Sequence, residues 1–372
     1  MSESEAALAR AVLIHGPVSR SDLTRRLGLS PASLTRLAKP LLESGLLVER
    51  EEVADGSVGR PSRPLDIAPG LGTFAGVKIT GDAVIAVGTD IRAGTLAVEE
   101  RALDDRAPAA VLGAVVAAVT ALALDDLVAV GVSLGGVVHD GVAVFAPFLD
   151  WRDVDVRNAL ETALGVPVHV ENDVVALAEA ERWFGAGRGL EGFATVTIGA
   201  GVGYGLVVAG EVVRTPDATT GTGGHIPLDP YGPVCSDGHR GCAQAMLSSG
   251  SITAQVSAAL GRTVDYDETL RLAASDDPAV RTIVGAAGSA LGTLIALAAN
   301  LSLQSSIVLA GEGIALFGVV QDRVRAAIAA GRDPQAQPLD IHVDDSGFRA
   351  WARGAAAVAI QASMERMRSG RG

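Results

Sequence analysis

The sequence predicts an α/β protein in two parts, a small helical head followed by a larger strand-and-helix body. Three observations predict it. The first seventy residues hold two short, well-capped helices separated by a glycine turn. After about residue 70, apolar runs that end in glycine-rich turns alternate with helical stretches. The charge divides at the same place: residues 1–66 carry nine basic and nine acidic side chains, while the other 306 carry 21 against 34, the whole net charge of −13. With 372 residues the chain can form two to three domains, and 48% apolar content supports a sizeable core. An acidic balance argues against a chain that coats nucleic acid non-specifically.

In the head, Ser19 is placed to cap a helix carrying Leu23 and Leu27 on one face, and Gly28 makes the turn. Ser30 caps a second helix with Pro31 at its first position, where a missing N–H costs nothing. Leu34, Leu37 and Leu41 form its inner stripe, which leaves Ser33, Thr35, Arg36 and Lys39 outward. Gly45 stops it, and "LLVER" with the later "PLDI" reads as a two-stranded wing. Between Arg20 and Lys39 five basic residues face one acid, Asp22, a local +4. A winged helix-turn-helix lays its second helix in the major groove, where short polar and basic side chains reach bases and phosphates. The alternative is a helical cap with a solvated basic face. In "GRPSRP" (59–64) two prolines keep the chain extended, so Arg60 and Arg63 can enter a minor groove, or the segment is a stiff linker. Pro40 removes the bond to the Arg36 carbonyl and is expected to kink or split the recognition helix.

The acidic N-terminus lacks the basic region of a secretory signal. The uncharged stretch 282–311 is long enough to span a bilayer, but its glycines, Asn300 and missing basic flank favour a buried helix followed by a buried strand. A cytoplasmic protein with no membrane partner is the expectation. In the body, "TFAGVKITGDAVIAVGTDI" reads as two adjacent strands turning at Thr80-Gly81-Asp82. A similar unit begins "VAVGVSLGGVVHDG"; a helix to Leu164, the strand "VPVHVEND" and the helix "VVALAEAERWFG" follow. "TVTIGAGVGYGLVVAGEVV" fails the dinucleotide fingerprint, because Tyr204 takes the third glycine position and a strand follows. It reads as a glycine-rich hairpin whose backbone amides can cradle an anion.

These stretches, with "GRP", "VENDVVALAEAE", "GGHIPLDPYGPVC", "GHRGC" and "IVLAGEGI", resemble in their order the ROK family of repressors, open reading frames and sugar kinases, in its winged-helix branch. The resemblance covers most of the chain. It implies a winged helix-turn-helix over 1–70 and a two-lobed, actin-like sugar-kinase core. The lobes would be 71–185, joined by a final helix over 347–368, and 186–346. It also implies a homodimer or homotetramer, a double-stranded DNA operator and a sugar-like effector bound between the lobes.

The resemblance also locates a catalytic site. Asn172-Asp173 matches the family's sugar-contacting pair, with Asp173 at the general-base position, although the pair equally suits the cap of the following helix. The first phosphate loop departs from the pattern. Lys78 stands where the kinases carry an aspartate, and Asp82 brings negative charge to the phosphate position. A protein without kinase activity is therefore expected, with an ATP-dependent sugar kinase as the alternative. The pocket differs too: Thr222 and Gln244 replace glutamates, and Phe148 replaces an asparagine, while His225 remains. The expected effector contacts are Asn172, Asp173, Thr222, His225 and Gln244. In the relatives this loop binds a structural zinc. The matching ligands here are His225, Cys235, Asp237 and Cys242, with His239 as a possible substitute for the carboxylate.

Overall fold

The computed structural model describes residues 2–51, 63–275 and 277–369. The head opens with α1 (Glu3–His15), which the sequence reading passed over although Ser2 and Glu5 form a reciprocal capping box. α2 (Arg20–Leu27) is capped by Ser19 and closed by Gly28 in the left-handed region, with φ 63°. α3 (Pro31–Glu43) starts at Ser30, and Leu34, Ala38 and Leu41 turn inward. The expectation that Pro40 would split α3 is not met: one helix continues to Glu43. The proline deprives only the Arg36 carbonyl, close to the helix end, while Leu41 beyond it stays buried and the Pro40 carbonyl accepts the Ser44 N–H at 3.0 Å. β1 (Leu47–Glu49) and β2 (Leu65–Ile67) pair antiparallel as the wing. Its tip, and Arg60 with it, lies outside the described residues.

The body repeats one topology twice. β3 (Thr73–Ile79), β4 (Ala83–Thr89) and β5 (Thr95–Ala102) form an antiparallel meander. After α4 (Pro108–Ala121), β6 (Leu127–Leu134) joins β3 in parallel. A small sheet follows, of β7 (Val137–His139), β8 (Val142–Ala146) and β9 (Trp151–Asp155). Then come α5 (Val156–Leu164), β10 (Val168–Asn172), which is parallel to β6, and α6 (Asp173–Phe184). The second sheet starts with the meander β11 (Phe193–Ile198), β12 (Val202–Val208) and β13 (Glu211–Val212). Its helices are α7 (Ala243–Leu247), α8 (Ser249–Leu260), α9 (Tyr266–Ala274) and α10 (Pro278–Ser302). They lead to β14 (Ser306–Ala310), which is parallel to β11, and through α11 (Ala315–Gly331) to β15 (Asp340–Val343). The strand orders, β10-β6-β3-β4-β5 and β13-β12-β11-β14-β15, are therefore equivalent: a meander with two parallel strands added beside its first strand.

The uncharged stretch is a helix followed by a strand, as expected of a core segment: Leu291, Leu294 and Ile295 of α10 are buried, and β14 lies inside its sheet between β11 and β15. The last helix, α12 (Phe348–Ser369), returns to the first sheet and lies along α6. Its approach depends on glycine. A Cβ at Gly76 or Gly131 would collide with the α12 backbone at Ala352 and Ala355.

Head and body share one apolar core. Leu8, Val12, Leu65 and Leu34 of the head cluster with Phe74, Trp183, Ala359 and Ile360 of the body. Arg92, in the turn after β4, reinforces this joint. It donates to the Leu13 and Gly16 carbonyls at 3.0 and 3.1 Å and pairs with the buried Asp66 carboxylate, whose other oxygen accepts from Arg50 at 2.7 Å.

Candidate DNA-recognition helix, interlobe cleft and metal loop

The outward edge of α3 is polar and open. Ser33 is half-buried at the helix start, where its N–H and its hydroxyl meet the Ser30 oxygen at 3.1 and 3.0 Å. Thr35 is exposed, and its hydroxyl donates back to the Pro31 carbonyl at 2.9 Å. Arg36 is exposed and, among the described residues, its side chain has no hydrogen-bond or ion-pair partner. Lys39 is 73% exposed, with only Glu43 at 3.8 Å. Arg63 stands 4.0 Å from Glu49 of β1, which also holds Arg20 at 2.7 Å.

In the cleft between the two sheets the charged groups are already engaged. Lys78, 4% exposed on β3, forms an ion pair with Asp173 Oδ2, and its ammonium stands 4.9 Å from the centre of the Trp351 ring. The other Asp173 oxygen accepts its own helix's Val174 N–H at 2.9 Å. Asn172 caps α6: its Oδ1 accepts the Val174 and Val175 N–H groups at 2.9 and 3.2 Å, and its Nδ2 donates to the Gly136 carbonyl at 2.9 Å. Asn172 thus caps α6, a role that can coexist with contact to a ligand.

In the two hairpin turns several donors are met from within the chain. In the first, the Thr80 hydroxyl accepts the Asp82 and Ala83 N–H groups at 3.3 and 2.9 Å and donates to Asp82 Oδ1 at 2.7 Å. In the second, the Ala200 N–H donates to the Glu312 carboxylate at 2.5 Å, so the anion in the glycine cradle is the chain's own. Gln244 clamps the same turn, accepting from Val202 N–H at 3.1 Å and donating to the Ala200 carbonyl at 3.3 Å. Phe148 joins the lobes. A Cβ at Gly135 would sit 2.9 Å from its ring and 3.3 Å from the Asp173 carboxylate; one at Gly201 would sit 3.2 Å from the same ring. Thr222 is exposed, and its hydroxyl donates to the Asp217 carbonyl at 3.4 Å.

The cysteine loop gathers three metal-type donors. One ligand atom each from His225, Cys235 and Cys242 lies within 4.8 Å of the others. Cys242 is buried at the N-cap of α7, and Cys235 Sγ is 4.0 Å from His225 Nδ1. Two thiols and an imidazole suit zinc. Asp237 is placed differently from the expectation: its carboxylate stands 3.4 Å from Nε2, the other nitrogen of His225, and is outside the three-donor group. His239 Nδ1 lies 3.7 Å from Cys235 Sγ, on the donor side.

Comparison with known proteins agrees with this architecture. Over 83% of its length the chain is 28% identical to the DNA-binding transcriptional repressor Mlc of Escherichia coli K12, covering 82% of that protein. A solved ROK family transcriptional regulator, described as a homologue of the E. coli MLC protein, superposes with a TM-score of 0.80 at 25% identity, covering 97% of this chain and 96% of its own. A ROK family glucokinase from Streptomyces griseus, solved with glucose and AMPPNP, matches 78% of this chain and all of its own, with a TM-score of 0.68 at 26% identity. The glucokinase match thus covers about the extent of the body, whereas the superposition over 97% of the chain is with a regulator. The model of the "ROK family" matches residues 74–362, and the chain belongs to that family.

Proposed function

We propose that this chain is a DNA-binding transcriptional regulator, a repressor, whose kinase-derived body binds a sugar or sugar-like effector without phosphorylating it. The observation that carries the reading is the contrast within one chain between the open edge of α3 and the closed Lys78–Asp173 pair. Ser33, Thr35, Arg36 and Lys39 would meet the major groove, and Arg60 and Arg63 the minor groove. Two copies would present two heads at half-site spacing. Effector entry would rotate the lobe 186–346 against the lobe 71–185 with its helix 347–368, and so change that spacing.

Loss of phosphoryl transfer follows from the same contacts. A general base must face the sugar hydroxyl, and here one Asp173 oxygen is held by Lys78 while the other accepts the Val174 N–H. A transferred phosphate needs donors, and the turn amides of Asp82, Ala83 and Ala200 already face oxygens of this chain. Effector contacts would fall to Asn172, Asp173, Thr222, His225 and Gln244. A coupled assay with ATP, Mg²⁺ and glucose, N-acetylglucosamine or mannose should show no turnover. Turnover that disappears in Asp173→Asn would establish the kinase reading instead.

His225, Cys235 and Cys242 would hold a structural zinc, with His239 as fourth ligand in preference to Asp237. The Asp237 carboxylate, beside the second imidazole nitrogen, would orient the His225 ring. When bound, the ion supplies a cross-link rather than a reactive centre. Metal analysis of protein purified without chelator should give about one equivalent of zinc per chain, lost in Cys242→Ser. Retention in His239→Ala with loss in Asp237→Ala would restore the carboxylate as the ligand.

A further inference from the structure

Six side chains of alternating charge run from the cleft to the head. Glu171 immediately precedes Asn172-Asp173, and its Oε1 accepts the Asn172 N–H at 2.9 Å. Its other oxygen stands 3.3 Å from Arg214 Nε, and Arg214 Nη2 donates to Glu179 Oε1 at 2.6 Å. Glu179, on α6, is fully buried, and its second oxygen accepts from Arg182 Nε at 2.9 Å. Arg182 is 6% exposed; its Nη2 also lies 2.7 Å from that oxygen, off the hydrogen-bond axis. Arg182 Nη1 donates to the Gly210 carbonyl at 2.6 Å and stands 3.5 Å from Glu211 Oε2. The other Glu211 oxygen pairs with Arg10 of α1 at 2.9 Å.

We propose that this chain of charges couples the state of the cleft to the orientation of the head, with Glu179 and Arg182 as positioning residues at its centre. Three acids and three arginines alternate, and the two central charges, Glu179 and Arg182, are buried. Glu179 has no water to fall back on and needs both arginines. A shift of Arg214 therefore obliges Arg182 to re-pair, and Arg182 reaches the head through Glu211. Its first two members lie where an effector would act. Glu171 adjoins the cleft pair, and Arg214 begins the segment that leads to Thr222 and His225. The outer link faces solvent, with Arg10 35% and Glu211 52% exposed, so it can be broken without disturbing the core. The Arg92–Asp66 joint and the shared apolar cluster hold the head on the body, and the ion chain would set how tightly α1 is held there.

The proposal rests on the regulator reading for its purpose, but it can be tested without DNA or effector. Hydrogen exchange would be followed in the full chain for the wild type, Glu171→Gln, Glu211→Gln and the double variant. Glu171→Gln should raise exchange of the α1 amides about fivefold, across the whole network. Glu211→Gln should do the same, and the double variant should exceed neither, because the link is already cut. An α1 that does not respond to Glu171→Gln would overturn the coupling, whatever Glu211→Gln does, as would effects that add in full. Selection of duplex DNA by the wild type separately decides the regulator reading: a chain that enriches DNA yet shows no α1 response loses only the coupling.

Discussion

The edge of α3 and the cleft between the sheets both carry charged groups, but they use them in opposite ways. Arg36 and Lys39 face solvent, among the described residues with no partner or a distant one, whereas Lys78, Asp173 and Glu312 each meet a partner within the chain. A charge without an internal partner is available to a ligand. A charge with one contributes to the fold and resists being taken over. The difference teaches that one chain can leave its charges open at one edge and satisfy them from within at another, and the proposed loss of phosphoryl transfer rests on that second arrangement.

The largest effect that sharpens this comparison is expected at the buried pair. Asp173→Ala would leave the Lys78 ammonium uncompensated and should cost about 3–5 kcal/mol of unfolding free energy, read by denaturant titration. The double variant Lys78→Met/Asp173→Leu should recover most of that loss. A near-neutral Asp173→Ala would mean that the pair is not the structural element described. At the open edge the effect should appear only in binding. Arg36→Ala should weaken DNA affinity by about 1–3 kcal/mol if it reads a base edge. Its unfolding free energy should stay within about 0.5 kcal/mol of wild type. Unchanged affinity would remove Arg36 from the interface.

Glu181 lies between the two cases. Burial, the largest influence, and the neighbouring Asp344 push its carboxyl from 4.5 up to about 6, against the Ala186 N–H, which favours the charged form. Because the folded value is raised, its contribution to stability is full below pH 4.5 and is lost as pH rises through 6. Removing the charge should therefore help near neutrality. Glu181→Gln is expected to gain roughly 1–2 kcal/mol at pH 7 and nothing below pH 4.5. A gain that is constant with pH would place the effect in packing instead.

What the sequence made legible was local. Ser19, Ser30, Gly28 and Gly45 act within a few residues of themselves, so the head helices and their ends could be read directly. The glycine hairpin was legible for the same reason, since a strand rather than a helix follows Tyr204. α1 carried an equally local signal in its capping box, which the acidity of the N-terminus obscured. The alanine-rich α4 offered no such pattern, with only Pro108 to mark its start. The contacts that decide the chemistry were out of reach. Lys78 and Asp173 are 95 residues apart, and Ala200 and Glu312 are 112 apart. Sequence could show that Lys78 was the wrong residue for magnesium but not that it would reach the base. Nor could it show which face of His225 would meet Asp237.

The central claim is that the open edge of α3 reads DNA while the closed cleft performs no chemistry. Selection from a random duplex pool by the full chain, at about 0.15 M salt so that loose phosphate contacts are screened, tests it most directly. The account predicts enrichment of one sequence containing two related half-sites, bound by the wild type and markedly weakened in Arg36→Ala. A pool that stays unenriched, or a selected sequence that Arg36→Ala binds as tightly as the wild type, would contradict it.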